Sequence, residues 1–141
     1  MRADGDLGGM VRAVPFSIVL PEQLVWTTRP HEPGEPARHV AELQGAVRFE
    51  DTRANVWRYE PGARGRRHLH SDQEETFVVI AGRLTVYLGE PPARQVVPVG
   101  GIVHVWPGTP LQTVNEADED LVVYAYGSPP DEGAQILPPA A

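Results

Sequence analysis

Residues 62–82 read GARGRRHLHSDQEETFVVIAG, and the fold turns on how that stretch changes character. Its first half is polar and rich in arginine; its second is a run of Thr, Phe, Val and Ile that favours β-structure. His68 and His70 stand at the junction, two positions apart. In an extended chain their rings leave the same face and can share one ion. Glu75 follows at the head of the β-forming run, where its carboxylate can swing back to the same point. Two imidazoles and a carboxylate make a donor set for iron(II), manganese, zinc, nickel or copper, and leave positions open for water or a substrate. Glu74 is the rival ligand, but strand parity turns it the other way.

Strand signals recur outward from this stretch. Residues 38–43, 53–59, 76–81, 84–88, 95–99, 102–106, 111–114 and 121–126 are rich in Val, Ile, Thr, Tyr or Trp. Turns are expected at 82–83, 89–93, 100–101, 107–110 and the acidic 115–120, and residues 30–36, with three prolines, read as an exposed loop. A period of 3.6 is sustained nowhere for long, and only residues 21–26 are expected to make a helical turn. Many short strands with hairpin-sized links predict an all-β sandwich or barrel. A chain of 141 residues has room for one such core. The expected organisation is a flexible leader over 1–12, a single domain over 13–127, and a proline-rich tail over 128–141 lying on the surface or against a partner subunit.

Composition removes several classes of function. The hydrophobic share of 41% and charged share of 22% are ordinary for a globular domain. There is no cysteine, which excludes disulfides, thiolate zinc sites and cysteine nucleophiles. The net charge is −7, and the twelve basic residues, all arginine, form no long run. Nucleic acid is therefore not an expected partner, because phosphate binding needs a concentrated positive field. No stretch approaches the ~18 apolar residues of a membrane span, and the first ten residues lack a secretory pattern. A cytoplasmic setting is expected.

The spacing Gly62, His68, His70, Glu75, Gly82 resembles the first conserved motif of the cupin superfamily, with every position filled. A second cupin motif is visible but incomplete in Gly100, Trp106, Pro107, Gly108, Leu111 and Asn115. Trp106 stands where cupins usually have proline, and Leu111 stands where they place a third histidine. The resemblance implies a double-stranded β-helix, also called a jelly roll or cupin barrel, with a divalent transition metal inside its mouth, and commonly a homodimer.

Leucine cannot ligate, so a substitute for the missing histidine is sought nearby. Parity turns Gln112 to the opposite face. If residues 107–110 form a four-residue hairpin loop, Trp106 pairs with Leu111 and His104 with Thr113, and all four share one face. His104 would then sit about 7 Å along the strand from the vacant ligand position. That suits contact with a substrate better than ligation, and makes His104 the candidate proton-transfer group.

Arg66 shares the parity of the two histidines and could clamp a carboxylate or phosphate; the alternative is a solvated loop arginine. Asn55, Trp57 and Tyr59 alternate along one strand, as a substrate wall or as barrel packing. Trp106, Leu111 and Thr113 complete the expected substrate contacts. The functional expectation is a small metalloenzyme acting on a modest organic molecule, as a dioxygenase or as an isomerase or cyclase. The alternative is a ligand-binding or sensory cupin without turnover.

Overall fold

The structure is a computed structural model that describes residues 15–130 and 133–141, so the expected leader over 1–12 lies outside the described residues. Eleven strands are found among those residues. They are β1 (Thr27–Thr28), β2 (Arg38–Glu42), β3 (Arg53–Tyr59), β4 (His68–Leu69), β5 (Glu74–Ala81), β6 (Leu84–Leu88), β7 (Ala93–Val97), β8 (Ile102–Val105), β9 (Leu111–Val114), β10 (Leu121–Ser128) and β11 (Gln135–Ile136). They form two antiparallel sheets, one ordered β1-β2-β3-β10-β5-β8 and the other β11-β4-β9-β6-β7. This is the double-stranded β-helix that the sequence predicts.

Period-two patterning decides which side chains enter the space between the sheets. On β5, Glu75, Phe77 and Val79 point inward, and Glu74, Thr76, Val78 and Ile80 point outward. Cross-strand pairing extends that choice into rows. Phe77 lies beside Ala125 and Val103, Val79 beside Val123, and Val123 beside Trp57. Leu84, Val86 and Leu111 close the core from the five-stranded sheet, Leu121 joins it from the same sheet as Phe77, and all four are at most 2% exposed. Burying each such side chain is worth about 2 kcal/mol, which holds the two layers together.

Two glycines are required by close approach. Gly82 has φ +77, and a Cβ there would lie 2.3 Å from the Asp120 carbonyl oxygen. Gly65 leaves room for the Tyr59 hydroxyl, which a Cβ would approach to 2.9 Å. The loop that follows β9 is organised by Asn115, a fully buried polar residue. Its Nδ2 donates to the carbonyls of Tyr59 and Glu119, both at 2.9 Å, and its Oδ1 accepts from the Ala117 amide.

Several expectations are corrected. The strand expected over 95–99 runs instead over Ala93–Val97, because pairing of Leu84 with Val97 fixes its register and Pro98 has no amide to continue the ladder. The hairpin expected over 102–114 does not form. β8 pairs with β5 in the six-stranded sheet, whereas β9 lies between β4 and β6 in the other, so residues 106–110 cross between sheets. The helical turn expected in 21–26 is a 3-10 turn at Pro21–Gln23, tied by Gln23 Oε1 accepting from the Leu20 amide at 2.7 Å. Near the chain end, β11 pairs with β4, and the buried Gln112 Oε1 accepts from the amides of Ala140 and Ala141. Gln112 thus lies opposite Leu111, as parity requires.

Asn115→Ala should lower unfolding free energy by about 3 kcal/mol, because three hydrogen bonds are lost and buried carbonyls are left unpaired. Urea titration checks this; a loss within about 0.5 kcal/mol would show that the loop does not depend on Asn115.

Candidate metal centre

The two histidines and the glutamate come from opposite layers. His68 lies on β4 in the five-stranded sheet with His70 just beyond it, while Glu75 projects from β5 in the six-stranded sheet. The chain crosses between the sheets over residues 71–73, and the His70 carbonyl is pinned by the Gly108 amide at 2.6 Å. The imidazoles stand edge to face with ring centroids 5.1 Å apart. Glu75 Oε1 lies 3.6 Å from His70 Nε2 and 3.8 Å from His68 Nε2, and one donor atom from each residue falls within 4.8 Å of the others.

These separations suit an ion better than hydrogen bonds. Glu75 Oε1 is buried and has no hydrogen-bond partner, a costly state for a carboxylate oxygen in a protein interior. Two donors each about 2.1 Å from a common ion stand about 3.0–3.4 Å apart, so small side-chain rotations would bring all three into contact with it. His68 Nδ1 lies 2.9 Å from the Arg66 carbonyl; donating there leaves the Nε2 lone pair aimed at Glu75. Burial disfavours the charged form of His68, but the Glu75 carboxylate and the Arg66 carbonyl outweigh it and hold the pKa above its ordinary value, against the opposing charge of Arg66.

The group opens on a cavity of about 800 Å³ between the sheets. Trp57, Tyr59, Leu111, Thr113 and Arg66 line it with the three candidate ligands, as do Asn55 and Phe77. Leu111 pairs with His68 across the strands, so apolar surface faces the group where cupins carry the further histidine. The Tyr59 hydroxyl lies 2.7 Å from Thr113 Oγ1.

His104 and Trp106 are not brought to this cavity. Val103 and Val105 take the inward positions of β8, and His104 and Trp106 face outward, with Trp106 66% exposed. Both parities of residues 102–106 carry apolar side chains, so alternation alone did not decide between them, and the compact valines fill the interior. His104 Nδ1 meets Thr76 Oγ1 and its Nε2 meets Glu74 Oε1, both at 2.8 Å, on the outer surface. Sequence reasoning missed Arg38 as a cavity residue, because its neighbours Trp57 and Tyr59 are set by strand pairing; the signal available was its position at the head of a strand pattern.

A double-stranded β-helix with two imidazoles and a carboxylate at its cavity wall defines a class of protein. The Cupin domain model matches residues 55–126, slightly more than half of the chain, and the protein belongs to the cupin family. No curated protein matches the chain. Among solved structures, it is similar to the polyketide cyclase RemF from Streptomyces resistomycificus (TM-score 0.71, 13% identity, 89% of this chain and 87% of that one). It is also similar to a sugar phosphate isomerase from Silicibacter pomeroyi (TM-score 0.67, 22% identity, 79% and 74%). A third is a double-stranded β-helix protein from Klebsiella pneumoniae (TM-score 0.63, 24% identity, 79% and 90%). At these identities the likeness concerns fold alone. No helix among the described residues is long and apolar enough to cross a membrane.

Metal affinity should fall on acidification, because protons compete for the same nitrogens. With the His68 pKa raised, the weakening begins above pH ~6.5, the ordinary imidazole value. In the metal-free protein the sign is opposite: protonated His68 favours the folded state at low pH, and that contribution fades as pH rises through the raised pKa. Zinc titrations between about pH 5.5 and 8 check the first statement; a flat affinity across that range would contradict it.

Proposed function

We propose that the protein is a small metal-dependent enzyme of the isomerase or cyclase type, acting on an organic molecule held between the two sheets. The observation that carries this reading is the buried Glu75 Oε1, without a hydrogen-bond partner and facing two imidazoles on the wall of a cavity large enough for a substrate. His68, His70 and Glu75 would hold a divalent transition metal, whose identity their chemistry leaves among iron, manganese, zinc, nickel and copper. Such an ion supplies Lewis-acid polarisation of a carbonyl or enol oxygen.

The chain's own residues supply the rest. Leu111 from one sheet and Phe77 and Val123 from the other give the cavity apolar walls that disfavour water. Trp57 offers a flat apolar wall to the substrate body. Tyr59 and Thr113 form a hydroxyl pair on the wall, able to hold a proton or pass it to a substrate oxygen. This pair replaces His104 in the reading, since His104 faces the outer surface. Arg66 stands at the mouth beside His68 and would receive an anionic group there.

A homodimer fits one further feature. Ile102, Val78, Tyr124 and Val56 form a continuous row across the outer face of the six-stranded sheet, with Ile102 65% exposed. Apolar rows of this kind are commonly covered by another surface.

Elemental analysis of protein purified without added metal, beside His70→Ala, tests the ligand set. Wild type should carry close to one equivalent of metal and the variant should lose most of it; equal content would sink the site. For activity, metal-loaded protein is incubated with enolisable keto acids and sugar phosphates in deuterated water and followed by NMR. Exchange or isomerisation that falls by more than about a hundredfold in Glu75→Gln supports the enzyme. Oxygen uptake by the iron form would redirect the reading to a dioxygenase, and ligand-induced stabilisation without any product would redirect it to a binding protein.

A further inference from the structure

The cavity is far more basic than the chain that encloses it. The net charge is −7, yet five of the twelve arginines, Arg29, Arg38, Arg48, Arg53 and Arg66, line this one space against two carboxylates, Glu42 and Glu75. Arg38 is held most distinctively. Its guanidinium carbon lies 5.2 Å from the Trp57 ring centroid and 5.8 Å from that of Tyr59, so the cation is held against both rings. The two ring faces offer no oxygen acceptor to its five N–H donors. Among the described residues no carboxylate or carbonyl accepts from the Arg38 side chain. A partly buried, positioned and unpaired guanidinium on a cavity wall is complementary to an oxyanion.

A second observation lies between Arg38 and the ligand group. Asn55 Oδ1 is buried on the same wall with no hydrogen-bond partner. Strand register gives the order of these features. Glu75 shares a row with Gly127 and Arg53, Asn55 lies one row further along, Trp57 the next, and Tyr59, paired with Arg38, the last. Arg53 and Trp57 are four residues apart on β3, so the guanidinium over Trp57 stands on the order of 13 Å from the level of Glu75.

We propose that the cavity takes an elongated organic oxyanion, a carboxylate or a phosphate ester, with its charge on Arg38, a hydroxyl donated to Asn55, and its reacting end at His68, His70 and Glu75. The proposal deepens the functional reading above and rests on it for the reacting end only. Because the anion subsite and the ligand group are separated along the wall, anion binding should not require the metal.

The test measures calorimetric affinity on metal-stripped and zinc-loaded protein. The probes share one scaffold: phenylacetate, benzyl phosphate, mandelate and the uncharged 2-phenylacetamide. At least one anion should bind about tenfold or more tighter than the amide, with or without zinc, and the tighter of phenylacetate and benzyl phosphate names the source of the charge. Arg38→Met, which retains apolar contact with Trp57, should erase that preference. Arg83→Met removes the same charge from an exposed turn and should leave it within about twofold. Should Arg38→Met fail to fold, Arg38→Gln takes its place. Equal binding of amide and anions, or an unchanged preference in the Arg38 variant, overturns the proposal. A gain of mandelate over phenylacetate that persists in Asn55→Ala removes Asn55 from the site. Anion binding seen only with zinc places the anion on the ion, overturning the Arg38 subsite while supporting the metal reading. Anion binding intact in a protein that takes up no zinc supports the subsite and defeats the metal reading.

Discussion

The site depends on one crossing of the chain. Between His70 and Glu74 the backbone leaves the five-stranded sheet and enters the six-stranded one, so the imidazoles and the carboxylate approach each other from facing walls. The crossing is fixed at both ends. The Gly108 amide holds the His70 carbonyl, and Glu75 enters a ladder with Gly127 on one side and Val105 on the other. A one-residue slip in that ladder would turn Glu75 outward and Glu74 inward, removing the carboxylate from the cavity in a single step.

The rest of the barrel is shaped to keep that approach open on one side. Leu84, Leu111, Leu121 and Phe77 are buried side chains that also line the cavity, so core and cavity wall are continuous. Gly65 serves the same arrangement from the opposite wall, since a side chain there would displace the Tyr59 and Thr113 hydroxyls.

The fold was legible because its signals are local. Turn glycines such as Gly82, and the change from polar to β-branched residues at Glu75, need no knowledge of partners, and Gly62, His68, His70, Glu75 and Gly82 combine both kinds of signal. What was not legible depends on register. Residues 102–106 carry apolar side chains at both parities, so only pairing with β5 shows that Val103 and Val105 turn inward and His104 outward. Arg38 is unremarkable in sequence and acquires meaning only when Tyr59 is its neighbour on β3. The two-residue strands β4 and β11 exist because each borrows its partner's edge, and two residues carry too little pattern to be read alone.

The placement of ligands on facing layers has a mechanical consequence. An ion held by His68, His70 and Glu75 would span the gap between the sheets, so the spacing of the layers and the occupancy of the site become linked quantities. Any ligand that binds only the assembled state adds stability in proportion to the logarithm of its excess, about 2.7 kcal/mol at a hundredfold excess over its dissociation constant. An occupied site would therefore act as a rivet at the edge of the leucine and valine core, tying His68 beside Leu111 to Glu75 beside Val105. Loosening of that edge and loss of the ion would be one event.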